Sequence, residues 1–304
     1  MQATAKSRLT VSPNWQRRRA MTFAALVIPV FALRLVTSAY PIANTIWLSF
    51  TNLQLIDQTN AFVGLENFVK MPQDPAIQSA LGFTIVNVLV SSALQLVFGL
   101  LIALLLNANH RGRNFGRSIN LIPWAIPGIA AAYAFKWLLD DQFGLVPEWI
   151  HLVTGVRPLI FLTVFGARTA LILLTLWKSV SFTAILFLAG LQGVPVELYE
   201  AARVDGANAW QRFWSITLPL VMPLIVTMSL FLMIGQLGGI DLAYGLTGGG
   251  PGTATATLGL RVFQEGLLFY KFGYASAIAV VLLLVIALLG LVGVFANRKV
   301  EVNL

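Results

Sequence analysis

The chain has 304 residues, of which 58% are hydrophobic and 11% charged, with a mean hydropathy of +0.80. Soluble domains carry about 25% charged residues, so the composition excludes an ordinary soluble core and points to an integral membrane protein. The net charge of +8 sits at the ends of apolar segments rather than on one soluble face, which excludes a nucleic-acid surface, and the absence of cysteine excludes disulfides, thiolate metal sites and cysteine nucleophiles.

Crossing ~30 Å of hydrocarbon takes roughly 20 apolar residues. A basic arm, residues 1–20, precedes the first qualifying segment, 22–48. That segment is long for a signal peptide and is followed by no clean small-x-small site, so it is read as an uncleaved span. Its Tyr40-Pro41 marks where the helix kinks or leaves the bilayer. Further spans are expected at 83–107, 118–139, 168–191, 217–237 and 273–296, giving an all-α polytopic protein with six transmembrane helices. The spans make one permease-like domain over 21–299, ending in a short tail, 300–304. Gly99, Ala103, Gly290 and Gly293 are expected to let helices pack closely.

Lysine and arginine in the flanks set the orientation. One side holds Lys6, Arg8, Arg17, Arg18, Arg19, Arg111, Arg113, Arg117, Arg203, Arg212, Arg298 and Lys299; the other holds Lys70, Arg157, Arg168, Arg261 and Lys271. Twelve against five places both termini and the 192–218 loop in the cytoplasm. The opposite loops, roughly 49–82, 140–167 and 238–272, are too small for an independent catalytic domain.

The 192–218 loop is a polar island between two apolar segments. Pro195 suits the first position of a helix, and Val196 to Ala202 continue it with good helix formers. Gly206 permits a bend, and Ala207 to Ser215 suit a second short helix, so the loop reads as a compact two-helix knob. Composition alone also fits an amphipathic connection lying on the membrane surface.

The spacing is more specific: Glu200-Ala201-Ala202, three residues, Gly206, nine residues, then Ile216-x-Leu218-Pro219. It resembles the EAA loop of the permease subunits of binding-protein-dependent ABC importers. The phrases Phe62-Val63-Gly64-Leu65-Glu66-Asn67-Phe68, Leu121-Ile122-Pro123 and Leu246-Thr247-Gly248-Gly249-Gly250-Pro251 are similar to phrases of the carbohydrate-uptake branch, which includes the maltose and glycerol-phosphate permeases. The resemblance runs from about Pro29 to Arg298. It implies the ABC-importer permease fold in a bacterial inner membrane, importing a sugar or sugar derivative delivered by an extracytoplasmic binding protein. It also implies a second related permease, usually a different chain, and two ATP-binding cassette subunits that carry ATP-Mg. Glu200, Ala201, Ala202, Asp205, Gly206, Ile216, Leu218 and Pro219 would then form the contact with the ATPase. No Walker motif is present, and residues 248–252 lack a Gly-Lys-Ser/Thr ending, so no cofactor is expected on this chain.

Charge within a span is costly and serves a purpose or snorkels to an interface. Arg34 and Lys136 fit snorkelling, whereas Lys178 shares one helical face with Thr175, Ser179 and Phe182. Aligned through the EAA loop, this face and a fifth-span stretch containing Gln236, with Asp241 just beyond, match the sugar-lining stretches of the maltose permease. Hydroxyls, amides and an aromatic platform suit a dehydrated sugar. Lys178 has three readings here: an ion-pair partner of Asp241, a contact for an anionic group on the sugar, or a structural or coupling residue. Ser and Thr elsewhere in the spans are read as bonded to backbone, and His110 and His151 stand alone in loops, without a metal-ligand pattern. An ion-coupled secondary transporter would need intramembrane carboxylates or broken helices, and no Asp or Glu lies well inside a span, Asp241 being only at an edge; a membrane enzyme would need a cluster of His, Asp or Glu at the membrane face, and the sequence has none.

Overall fold

The structure is a computed structural model that describes residues 13–109 and 111–302. Lys6, Arg8 and His110 lie outside the described residues, as does most of the 1–20 arm. The chain opens with α1 (Pro13–Arg34), a π-helical turn (Leu35–Ala39) and α2 (Tyr40–Leu48). The short α3 (Glu66–Lys70) leads to the long α4 (Pro75–Asn107), then to α5 (Arg113–Asn120), α6 (Ile122–Ala125) and α7 (Gly128–Leu138). Next come α8 (Leu145–Thr154), α9 (Val164–Gln192), α10 (Val196–Val204) and α11 (Ala209–Arg212). A second π turn (Phe213–Thr217) enters α12 (Leu218–Gly238). The chain then forms α13 (Asp241–Thr247), α14 (Leu258–Phe263), a third π turn (Gln264–Leu268) and α15 (Phe272–Val302).

Among the described residues, five helical stretches are long and apolar enough to cross a membrane: Met21–Ser49, Pro75–Asn107, Val164–Gln192, Ala209–Gly238 and Phe272–Phe295. The expected third span is not one straight helix. Its halves, Arg113–Ala125 and Gly128–Leu138, meet at 90°, and only by counting the bent pair as one span does the total reach six. Pro127 supplies the reason, because its ring bars the preceding residue from helical ψ. Ile126 is accordingly extended, at φ −70° and ψ 133°.

Proline also explains two of the three π turns. Pro41 and Pro219 stand at the first turns of α2 and α12, each directly after a π turn. A proline cannot donate to the carbonyl four residues back and crowds it, and one wider turn relieves both faults. The expected kink at Tyr40-Pro41 is therefore a widened turn within a continuing helix. The second span begins at Pro75, ahead of its expected start, because the Asp74 carboxylate accepts the Ala76 amide at 2.8 Å and caps α4.

α4 and α9 pack closest. A Cβ on Gly99 would lie 2.7 Å from Thr183 Cγ2, and Ala103 has no exposed surface. Gly293 likewise admits Leu230 of α12, whereas Gly290 meets nothing within 4 Å, so Gly290 is no packing site within this chain. Phe83, Leu171, Leu174, Leu246 and Leu260 join α4, α9, α13 and α14 around Ala131 and Ala132 of α7. Against lipid such contacts hold through close packing rather than exclusion of water.

Candidate functional site

A cavity of about 340 Å³ lies among α4, α9, α12 and α13. Thr175, Lys178, Ser179 and Phe182 reach it from α9, Gln236 from α12 and Asp241 from α13. All six residues singled out as a substrate face therefore line one space. The break in the third span adds an aromatic wall: Trp124 of α6 stacks on Phe182 at 5.2 Å and 16°, and Phe231 lies 6.1 Å beyond. Trp124 was not legible as a lining residue because a straight third span would point it elsewhere.

The two charges of the cavity do not pair with each other. Lys178 Nζ donates to the Trp124 carbonyl at 2.9 Å, near the C-terminal end of α6. Asp241 presses its carboxylate against Gly128, the first residue of α7; a Cβ there would stand 1.6 Å from Asp241 Oδ2. Only glycine admits that approach. A helix end with free carbonyls attracts a cation and one with free amides attracts an anion, so each group is drawn to its own side of the break. Of the three readings of Lys178, the ion pair with Asp241 does not form; each group makes its own helix-end contact instead. Arg34 and Lys136 stand in the last turns of α1 and α7 and are exposed.

A further wall comes from α4, where Thr84, Asn87, Ser91, Ser92 and Gln95 are buried at helical spacing and Asn87 and Gln95 line the cavity. Ser91 Oγ donates to Asn87 Oδ1 at 3.3 Å, and Gln236 Nε2 donates to Ser92 Oγ at 2.9 Å. Gln95 has no exposed surface, yet neither its Nε2 nor its Oε1 has a hydrogen-bond partner; Gln236 Oε1 lacks one too. The backbone bonds expected of buried hydroxyls do form at Thr84 and Thr175. The signal missed is the three- and four-residue spacing of polar groups along an apolar helix.

The segment expected to couple to a partner stands apart from the cavity. Pro195 precedes α10 as its cap residue, and Glu200, Ala201 and Ala202 lie on α10. Asp205 and Gly206 make the turn, with Gly206 at φ +82° and the Ala207 amide donating to the Ala202 carbonyl at 2.8 Å. Asn208 and Gln211 form a reciprocal capping box at the start of α11. Here the two-helix expectation needs correction. No breaker follows Arg212, so α11 runs through the π turn, which holds Ile216, into α12, where Leu218 and Pro219 begin. The second helix of the knob is the end of the fifth span itself. Tyr199 Oη lies 2.9 Å from Thr217 Oγ1 and ties α10 to that π turn.

Between the fifth and sixth spans, Arg261 pairs with Glu265, and both are buried. Burial raises the Glu265 carboxyl above its ordinary 4.5, and the Arg261 guanidinium opposes the rise. Sequence spacing offered this i,i+4 pair, but only Arg261 was weighed, and only as a flank charge.

Comparison with known proteins converges with this geometry. Residues 95–302 match the family of binding-protein-dependent transport system inner membrane components, and the chain belongs to that family. It is 35% identical to the trehalose/maltose transport system permease protein MalF of Thermococcus litoralis, covering 86% of this chain and 89% of that one. It is 38% identical to the sulfoquinovosyl glycerol transport system permease protein SmoG of Agrobacterium fabrum, covering 89% of both. A chain of a bacterial alginate ABC transporter, solved with an alginate-bound periplasmic protein, shares the fold at a TM-score of 0.81 and 21% identity, over 94% of this chain and 97% of that one. The chain is therefore a membrane component of a transport system, and its apolar helices span the inner membrane.

Proposed function

We propose that this chain is the permease subunit of an ATP-driven importer that moves a sugar or sugar derivative handed over by an extracytoplasmic binding protein. One observation carries the reading. Amides and hydroxyls from α4, α9 and α12 face a stacked aromatic wall across one cavity, the chemistry a dehydrated sugar needs. The sugar-transport names of the relatives support the same class. The flank-charge count puts both termini and α10 in the cytoplasm, where two ATPase subunits would engage Glu200–Gly206. Because α11 is continuous with α12, force on the segment would pass straight into the cavity wall. A second, related permease would complete the channel; the most apolar part of Met21–Ser49 buries none of its residues within this chain, which leaves it free to meet lipid or that partner.

We infer that Lys178 does not select for charge on the sugar. Lys178 and Asp241 give the cavity one charge of each sign, and the Lys178 ammonium is held by the Trp124 carbonyl. Lys178→Met should therefore lower uptake of neutral and of anionic sugars by the same factor; selective loss of the anionic class would overturn this part. The whole reading is tested in proteoliposomes carrying the complete transporter and its binding protein, with uptake of maltose, trehalose and sulfoquinovosyl glycerol measured. Uptake requiring internal ATP supports it, and uptake driven by a proton gradient without ATP overturns it.

A further inference from the structure

Gln95 is the most unusual polar group in the described structure. Its side chain lies within α4, has no exposed surface and lines the cavity, and both ends of its carboxamide lack a partner. A buried amide in this state costs stability, since it gives up water and receives nothing from the protein. Polar residues in spans that serve structure hydrogen-bond a neighbouring helix. Gln236 does so through Nε2, which donates to Ser92 of α4, and Asn87 Oδ1 accepts from Ser91 one turn along its own helix, but the Gln95 side chain bonds to nothing. On α12, Gln236 Oε1 is another buried acceptor without a partner among the described residues.

We propose that Gln95 is a specificity-determining residue that reads a pair of adjacent hydroxyls on the transported solute, with Gln236 Oε1 accepting from a third. A primary carboxamide presents a donor and an acceptor side by side. Two vicinal hydroxyls present the complementary pair, one donating to Oε1 and one accepting from Nε2. A site built this way rejects an analogue lacking one hydroxyl, because the amide is then left unpaired again. Another part of the lining supplies the other half of sugar recognition, the Trp124–Phe182 stack, which offers aromatic surface to the C–H face of a pyranose. This inference rests on the sugar reading above and goes further by fixing which helix reads the hydroxyls.

The absence of a partner makes the test decisive. Gln95→Leu and the more nearly isosteric Gln95→Met remove no protein hydrogen bond, so thermal unfolding of the purified complex should stay unchanged or move upward. ATP-dependent uptake of the best of maltose, trehalose and sulfoquinovosyl glycerol should nonetheless fall roughly tenfold in maximal rate, as expected for losing a pair of hydrogen bonds. Monodeoxy analogues of that solute give a second readout. Wild type should discriminate against those lacking a paired hydroxyl, and Gln95→Met should transport them and the parent sugar equally. Wild-type uptake rates in both variants, or losses of uptake that track a lower unfolding temperature, would overturn the role of Gln95 alone. Failure of the wild-type transporter to take up any of the three sugars would overturn the sugar reading, and this inference with it.

Discussion

Two connections join the last three spans of this chain, and they have opposite fates. Residues 239–271, between the fifth and sixth spans, fold back into the protein. Leu246 is 1% exposed and Leu260 0%, and even Arg261 and Glu265 are enclosed. Residues 193–217, between the fourth and fifth, stand outside it. Val204 is 88% exposed and Trp210 69%, although Trp210, Phe213 and Trp214 cluster edge to face. The first connection encloses an ion pair of its own, Arg261–Glu265, and completes the cavity through Asp241. The second has caps and turns in good order but no tertiary cover, and an aromatic cluster on a polar segment is a surface that another molecule completes. Internal burial thus separates a connection that builds the permease from one that we read as its handle.

The sharpest way to break this contrast is Arg261→Met, which strands Glu265 in a buried site. Losing one partner of a buried pair costs about 3–5 kcal/mol, so the purified protein should unfold at a much lower temperature at pH 7.5. The sign of the pH dependence follows from Glu265. Its folded pKa lies above 4.5, so the folded state holds the proton more tightly than the unfolded chain. That contribution is fully present below pH 4.5 and is lost as pH rises through the folded value. The deficit of Arg261→Met should therefore shrink toward acid pH, and Arg261→Met with Glu265→Gln should not show this shrinkage. An equal deficit at both pH values would show that the pair is not buried as described.

The exposed connection should respond in the opposite sense, losing coupling while keeping stability. A Cβ at Gly206 would meet no atom within 4 Å, so a side chain there starts in open space. The cost is conformational, about 1–2 kcal/mol for a side chain at φ +82°, and it falls on the angle between α10 and α11. Gly206→Leu should leave the protein folded in the membrane while substrate-stimulated ATP hydrolysis and uptake collapse. Glu200→Ala, on the exposed face of α10, should change unfolding by less than about 0.5 kcal/mol and lower the same activity to a smaller degree. Unchanged uptake in Gly206→Leu would remove the basis for treating 193–217 as a lever.

What could be read from sequence followed from regularity. The face Thr175–Lys178–Ser179–Phe182 was legible because helical spacing fixes it whatever surrounds it, and the structure gathers all four on the cavity. The positions of most spans were legible from length and hydropathy. The broken third span was not, because Ile126 and Pro127 leave a window apolar while halting the helix, and the placement of Trp124 was lost with it. The partner of Lys178 was not legible for the same reason, since the carbonyl it meets lies at that break. Gln95 escaped notice because nothing in its own residue type tells an unpaired buried amide from a satisfied one. That distinction depends on which atoms the neighbouring helices bring near it.

The smallest effect tests how finely packing was resolved on α15. Gly290 and Gly293 read alike in sequence, one turn apart on an apolar helix. In the structure a Cβ on Gly293 would come 2.2 Å from Leu230 Cδ1, whereas one on Gly290 would meet nothing. The far end of a leucine can swing aside, so Gly293→Ala should cost no more than the roughly 1–3 kcal/mol of an overpacked contact. Gly290→Ala should be neutral or slightly stabilising, since alanine is the better helix former by about 1 kcal/mol. Thermal unfolding of both variants in the same detergent measures the difference. If Gly290→Ala proved the more damaging in the assembled transporter but not in the isolated chain, Gly290 would face the second permease, and the open side of α15 would belong to that interface rather than to lipid.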